Sequence, residues 1–132
     1  MNTIIINGAD DAAFSDAAKA LRDGKLVAFP TETVYGLGAN ALNTDAVNKI
    51  YEVKGRPSDN PLIVHIAEVS KLNELVAEIP EAAALLIEAF WPGPLTMVFK
   101  KSTLVPDIIT AGLDTVAVRM PDSPIAQKLI RE

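Results

Sequence analysis

The 132-residue chain contains no cysteine, a single histidine and few aromatic residues, and each shortage removes a class of function. Without cysteine, disulfide bonds, thiolate zinc sites and a cysteine nucleophile are excluded. With His65 as the single histidine, a site that needs two imidazoles is excluded as well. No apolar run approaches the roughly 20 residues of a membrane-spanning helix, so we expect no membrane partner.

Positive charge is also scarce, because 12 Lys and Arg stand against 17 Asp and Glu, for a net charge of −5. Nonspecific nucleic-acid binders are usually basic, so this balance argues against that class. The N-terminus carries no recognisable secretory signal. Apolar residues make up 49% of the chain and charged residues 22%, which is typical of a globular protein. We therefore expect a cytoplasmic protein with one domain.

Short apolar runs alternate with helical patterns along the chain. Five runs, 3–6, 26–29, 62–66, 95–99 and 115–118, predict strands because they are bounded by breakers and rich in β-branched or other apolar residues. Between them, apolar residues recur at spacings of three and four, which is typical of helices. This alternation predicts an α/β fold with layers packed around one sheet.

A polar loop, residues 31–40, follows the second predicted strand. Ligands of open α/β sheets often bind beyond the carboxyl ends of strands. The hydroxyls of Thr31, Thr33 and Tyr35 and the carboxylate of Glu32 could converge there on a small polar molecule. The alternative is a turn that satisfies only its own backbone.

The same loop contains the spacing G-x-G-x-x-G/A over residues 36–41, which is found in dinucleotide-binding proteins. That fingerprint requires its first glycine directly after a strand and its last residue inside a helix. Here six residues follow the strand before Gly36, and Asn43 or Thr44 caps the next helix only after the motif. The spacing therefore argues weakly for a nicotinamide or flavin site.

Four further residues carry charge or a titratable ring in places that need an explanation. Lys54 and Arg56 flank Gly55 and could hold phosphates, or else Lys54 interacts with the helix dipole and Arg56 is solvated. His65, in an apolar strand, is either a core residue or part of a site. Arg119 ends a strand, where a buried cation needs an anion, supplied by an acidic side chain or by a substrate carboxylate.

Taken together, these segments resemble the YrdC-like family of threonylcarbamoyl-adenylate synthases, most closely the longer two-domain members. The resemblance is carried by residues 30–37 (PTETVYGL), 54–57 (KGRP), 60–65 (NPLIVH), 91–96 (WPGPLT) and 116–121 (VAVRMP). These motifs occur in family order over most of the chain. Such a set is far more specific than any single motif.

The resemblance implies a single-domain, twisted mixed α/β sheet with flanking helices and a concave ligand-binding face. It implies a nucleotidyltransferase that converts L-threonine, bicarbonate or CO2, and ATP with Mg2+ into threonylcarbamoyl-AMP and pyrophosphate. A downstream threonylcarbamoyl-transfer machinery would then modify tRNA. No protein nucleophile is implied. The matching site residues are Lys54, Arg56, Asn60 and Thr115 for ATP, and Thr33, His65 and Arg119 for L-threonine.

Residues 1–132 are expected to form the N-terminal portion of a YrdC-like domain, because the family domain continues beyond the last predicted helix. Two other functions stay open. One is a carbamoyl-adenylate-forming domain, against which the threonine-type residues argue. The other is an RNA-binding module without catalysis, in which the basic loop at residues 54–56 holds RNA phosphates.

Overall fold

The structure of the chain, a computed structural model, describes residues 3–6, 10–55 and 61–131. No helix in these ranges is both long and apolar enough to cross a membrane. The elements in chain order are α1 (Asp11–Arg22), β1 (Val27–Phe29), β2 (Gly36–Gly38), α2 (Thr44–Lys54), β3 (Ile63–His65), a 3-10 turn (Val69–Lys71), α3 (Leu72–Leu75), α4 (Glu81–Phe90), β4 (Met97–Lys100), α5 (Asp107–Thr110), β5 (Thr115–Arg119) and α6 (Pro124–Arg131).

The larger of the two sheets in the described residues has the strand order β3-β5-β4. Strands β3 and β5 are parallel, and β4 runs antiparallel to β5 on its other side. The predicted α/β class with a mixed sheet is confirmed. The single sheet expected from the alternation is not what forms, since β1 and β2 make a separate antiparallel pair.

Strand β2 falls inside the segment that was predicted to be an irregular loop. Gly36 and Gly38 pair with Phe29 and Val27, and the Phe29 ring covers both glycines. A Cβ atom on Gly38 would lie 2.7 Å from the Cε1 atom of that ring. The two glycines therefore make room for an aromatic side chain, a reason that no local strand propensity expresses.

The ends of the first two long helices follow the sequence signals. The Asp10 side chain accepts a hydrogen bond from the Ala12 amide, and the Asn43 side chain accepts one from the Ala46 amide. Both are N-cap contacts that satisfy amides left free at a helix start. Gly24 follows α1 with a φ of +81°, a conformation that glycine adopts without the Cβ penalty of other residues.

The prediction of a strand at residues 3–6 was wrong. Ile4 and Ile5 are 81% and 95% exposed, and no described segment pairs with this run. A β-branched run becomes a strand only where a neighbour completes the hydrogen-bond ladder and covers one face. The strand predicted at 26–29 does form, but Ala28 is exposed, so it is not buried on both faces.

Two apolar cores lie among the residues that the structure describes. The larger one covers the buried face of the three-stranded sheet, where Val116 and Val118 of β5 are almost fully enclosed. The smaller one packs α1 against α6 and β1 around Phe14 and Phe29. Because side chains alternate along a strand, burial of Val116 and Val118 turns Thr115, Ala117 and Arg119 to the opposite face.

Candidate functional site

A cavity of about 880 Å³ opens where β3 and β5 end, and it reaches the loop after β1, strand β2 and the end of α2. Its volume lies within the range of roughly 300–1,000 Å³ that is usual for small-ligand sites. The described charged residues that line it are five basic and two acidic, and three of the basic ones form ion pairs: Lys71 with Glu74, Arg119 with Glu32 and Arg131 with Glu68. The charged residues of the lining are Arg22, Lys54, Lys71, Arg119, Arg131, Glu68 and Glu74.

Arg119 and His65 lie side by side at this edge because they are register partners on the parallel strands β5 and β3. Both side chains line the cavity. The carboxyl ends of parallel strands meet at one sheet edge, which explains how residues far apart in sequence come together here. The structure thus unites two of the three residues predicted for the threonine site.

The Arg119 guanidinium is buried and contacts three groups of the protein. Its Nε donates to the Gly93 carbonyl oxygen at 3.0 Å, and its Nη1 donates to Thr33 Oγ1 at 3.4 Å. Its Nη2 forms an ion pair with Glu32 Oε1. Burial lowers the pKa of Arg119, although an arginine stays protonated in proteins. The anion that the sequence required is therefore supplied by Glu32, and Thr33 joins the same group.

The loop after β1 forms a turn that makes its own hydrogen bonds, and it also contacts Arg119. Thr31 Oγ1 donates to the Val34 carbonyl oxygen at 2.6 Å and accepts from the Thr33 and Val34 amides at 3.2 Å each. It also lies 3.1 Å from Thr33 Oγ1. The turn therefore places Thr33 beside the guanidinium while satisfying its own backbone.

Gly93 connects the turn after α4 to the end of β5. Its amide donates to the Met120 carbonyl oxygen at 2.8 Å, and its carbonyl oxygen accepts from Arg119. The turn contains a cis peptide bond between Trp91 and Pro92. It is anchored by the buried indole of Trp91, whose Nε1 donates to the Leu95 carbonyl oxygen at 2.8 Å.

His65 is mostly buried, with its ring edge against Phe29 at a centroid distance of 6.2 Å. Burial lowers the pKa of His65, and the contact of Nδ1 with the Ile63 carbonyl oxygen at 3.2 Å opposes this only in part. A carbonyl oxygen only accepts, so Nδ1 carries the proton of the neutral ring. Nε2 then keeps a lone pair and can accept a hydrogen bond.

Lys54, the last residue of α2, also lines the cavity. The helix stops at Gly55, which has a φ of +63°. Two other residues predicted to contact ATP, Arg56 and Asn60, lie outside the described residues. Their assignment stays a prediction.

Thr115 is placed apart from the other predicted site residues. It begins β5, where it pairs with Lys100, whereas Arg119 ends the same strand. It lines a smaller hollow of about 250 Å³ together with residues that include Glu78 and Lys100. The structure therefore does not bring Thr115 into the cavity with His65 and Arg119, and its contact with ATP stays a prediction.

Two residues that matter for the site geometry were not selected from sequence. Glu32 was noted as a carboxylate of the loop, but nothing in the sequence tied it to Arg119. Gly93 lies between two prolines in a segment interpreted only as a sharp turn, and its absent side chain was the available signal. Among the described residues, no group of three or more His, Asp or Glu side chains is arranged to hold a metal ion.

Fold and site together define a class: a mixed α/β domain with a cation-lined cavity at the ends of two parallel strands. The chain belongs to the Sua5/YciO/YrdC family, whose profile, described as "Telomere recombination", matches residues 19–132. The family resemblance found in the motifs is thereby confirmed.

Two relatives share 61% of the aligned residues with this chain. Threonylcarbamoyl-AMP synthase of Pyrococcus abyssi (strain GE5 / Orsay) is 61% identical over 131 residues, which cover 97% of this chain and 38% of the relative. Threonylcarbamoyl-AMP synthase of Bacillus subtilis (strain 168) is 61% identical over 125 residues, covering 93% and 36%. The chain thus spans less than two-fifths of the length of these relatives.

A solved structure shows the same fold. The crystal structure of P. abyssi Sua5 complexed with L-threonine matches this chain with a TM-score of 0.90 and 59% identity. The match covers 97% of this chain and 37% of that protein.

Proposed function

We propose that this chain takes part in the synthesis of threonylcarbamoyl-AMP, with L-threonine, bicarbonate or CO2, and ATP as substrates. The observation that carries the proposal is that His65 and Arg119 line the same cavity from neighbouring strands, and that Thr33 contacts the Arg119 guanidinium. A relative with 59% identity has been crystallised with L-threonine, which supports the choice of amino acid. We place the reaction in the cytoplasm, ahead of a machinery that transfers the threonylcarbamoyl group to tRNA.

The threonine end of this proposal uses groups that the cavity already presents. Arg119 and Thr33 offer N–H and O–H donors that suit a carboxylate, and charge-assisted hydrogen bonds are the strong ones. His65 Nε2 can accept a hydrogen bond from the threonine amine, since Nδ1 is engaged by the Ile63 carbonyl oxygen. The deprotonated amine attacks CO2, so that a C–N bond forms, one C=O π bond breaks and an N–H proton leaves to solvent, which gives the carbamate.

The nucleotide end depends mainly on electrostatics. In the proposed step the carbamate oxygen attacks the α-phosphorus of ATP, a P–O bond to that phosphorus breaks, and pyrophosphate leaves. Two anions must be brought together, so cations that line the cavity lower the cost of their approach. Lys54 is the described residue we assign to the phosphates, with Arg56 and Asn60 predicted beside it. Mg2+ enters this proposal as the companion of ATP.

The test is pyrophosphate release by the purified 132-residue protein from ATP and bicarbonate, with and without L-threonine. We expect release that depends on threonine, and threonylcarbamoyl-AMP detectable by mass spectrometry. A parallel arm with carbamoyl phosphate in place of bicarbonate and threonine tests the carbamoyl-adenylate alternative. Failure to bind either L-threonine or ATP in calorimetry would overturn the proposal for this chain.

A further inference from the structure

Glu32 is held at both carboxylate oxygens. Oε1 forms the ion pair with Nη2 of Arg119, and Oε2 accepts a hydrogen bond from the backbone amide of Asp122, just before α6. The Glu32 side chain is 23% exposed and that of Arg119 is 10% exposed, so both charges lie largely outside solvent. With both oxygens engaged, the carboxylate is held against rotation.

The contacts of Arg119 engage one edge of its guanidinium, formed by Nε and Nη2, and leave the corner at Nη1. A guanidinium has five N–H groups in a rigid planar fork. Nε donates to the Gly93 carbonyl oxygen, whereas Nη2 is fully enclosed and is held by the ion pair with Glu32, with no hydrogen-bond partner among the described residues. Nη1 is the nitrogen beside the exposed residue Thr33, to which it makes only a long hydrogen bond. Nη1 is therefore the nitrogen left to meet a ligand.

Removing the Glu32 carboxylate would leave the Arg119 guanidinium held at Nε but not at Nη2. The Gly93 carbonyl alone holds Nε, which still permits the terminal nitrogens to change places by rotation about the Nε–Cζ bond. A buried cation without a partner is also costly, so the side chain would turn toward another anion or toward water. Thr33 Oγ1 and Nη1 would then no longer be held together.

We infer that Glu32 is a positioning residue: it holds Arg119 so that the Nη1 corner, beside Thr33, receives the carboxylate of the amino-acid substrate. The identity of that substrate rests on the proposed function, whereas the restraint on Arg119 does not. Glu32 acts through Arg119 and does not itself touch the substrate. A substrate carboxylate is thereby kept from the buried Nη2 edge.

The first test measures the restraint without any ligand. Nitrogen-15 NMR of the guanidinium groups is recorded for the wild-type protein and Glu32→Gln, with Arg119→Lys to assign the signal. We expect separate, slowly exchanging Nη signals of Arg119 in the wild type and averaged signals in Glu32→Gln. Asp23→Asn, which removes a carboxylate paired with Lys19 on the surface of α1, is the matched control and should leave the signals separate. Unchanged Arg119 signals in Glu32→Gln would refute the restraint.

The second test asks whether the restraint serves a carboxylate. Binding of L-threonine is compared with binding of L-threoninol, in which a hydroxymethyl group replaces the carboxylate. We expect Glu32→Gln to weaken threonine binding by about tenfold, as for loss of a charge-assisted hydrogen bond, and to leave threoninol binding unchanged. Equal weakening of both ligands, or of neither, would contradict the inference.

The two tests separate this inference from the proposed function. If the wild-type protein binds no threonine, the proposed function fails and the carboxylate role assigned to Glu32 fails with it, while the NMR experiment still decides the restraint. Thermal unfolding of each variant checks the fold. Should Glu32→Gln not fold, Glu32→Asp serves instead, since it keeps the charge but is one methylene too short to reach Arg119 and Asp122 together. It should weaken threonine binding and again spare threoninol.

Discussion

Replacing Gly93 by alanine should damage the protein more than any open glycine position would. An added Cβ would lie 2.6 Å from the carbonyl oxygen of Phe90, which is backbone and cannot swing aside. The turn must therefore shift, and Gly93 carries two hydrogen bonds to the end of β5, one with Met120 and one with Arg119. The neutral bond contributes about 1 kcal/mol and the charged one about 1.5–3 kcal/mol, so we expect a loss of about 2–4 kcal/mol.

Thermal unfolding measures this loss directly. At about 4 °C per kcal/mol for a chain of this size, Gly93→Ala should lower the Tm by roughly 8–16 °C. Trp91, the single tryptophan, lies two residues away and reports the transition by fluorescence, with circular dichroism as a second probe. Gly112→Ala is the control, because Gly112 has a φ of +81° and open space around it, so its cost is about 1–2 kcal/mol of backbone strain. A Tm for Gly93→Ala within about 2 °C of the wild type, or above that of Gly112→Ala, would refute the close approach.

Three further predictions concern single side chains. Because burial lowers the pKa of His65, its stabilising contribution is complete above pH 6.5 and is lost as the pH falls toward the folded-state pKa. The free energy of unfolding in urea should therefore differ less between pH 5.5 and pH 7.5 in His65→Asn than in the wild type. Lys54→Ala should weaken ATP binding by about tenfold or more in calorimetry with an unchanged Tm, whereas Lys25→Ala, outside the cavity, should bind normally. Leu72→Ala, at a position with no exposure, should cost about 2–5 kcal/mol in urea unfolding, and a similar loss in the half-exposed Leu113→Ala would contradict the assigned core.

The sequence predicted the parts of the fold that depend on near neighbours. The cap at Asn43 needs only an amide three residues away, and this prediction was correct. The strand at residues 3–6 was wrong because a strand depends on a partner that its own residues do not supply. Strand β2 was missed for the complementary reason, since its two glycines have no strand propensity and are accommodated beneath Phe29.

The candidate site was predicted in its members but not in its contacts. His65 and Arg119 follow the buried positions Val64 and Val118, so the two-residue period of β3 and β5 places them on the opposite face. Whether Arg119 met a protein carboxylate or only a substrate stayed open, because periodicity says which face a side chain is on and nothing about what lies across from it. Glu32 answered that question in the structure.

The sequence by itself determined the α/β class, the family, the helix ends and the faces of the strands that bear His65 and Arg119. These follow from motifs, from the two-residue period of strands and from hydrogen bonds between residues close in the chain. Tertiary structure alone decided the pairing of β3 with β5, the contact of Arg119 with Thr33, 86 residues earlier, and the two-ended hold of Glu32. Such contacts depend on how the whole chain packs, because no local preference specifies which distant residue will lie within hydrogen-bonding distance.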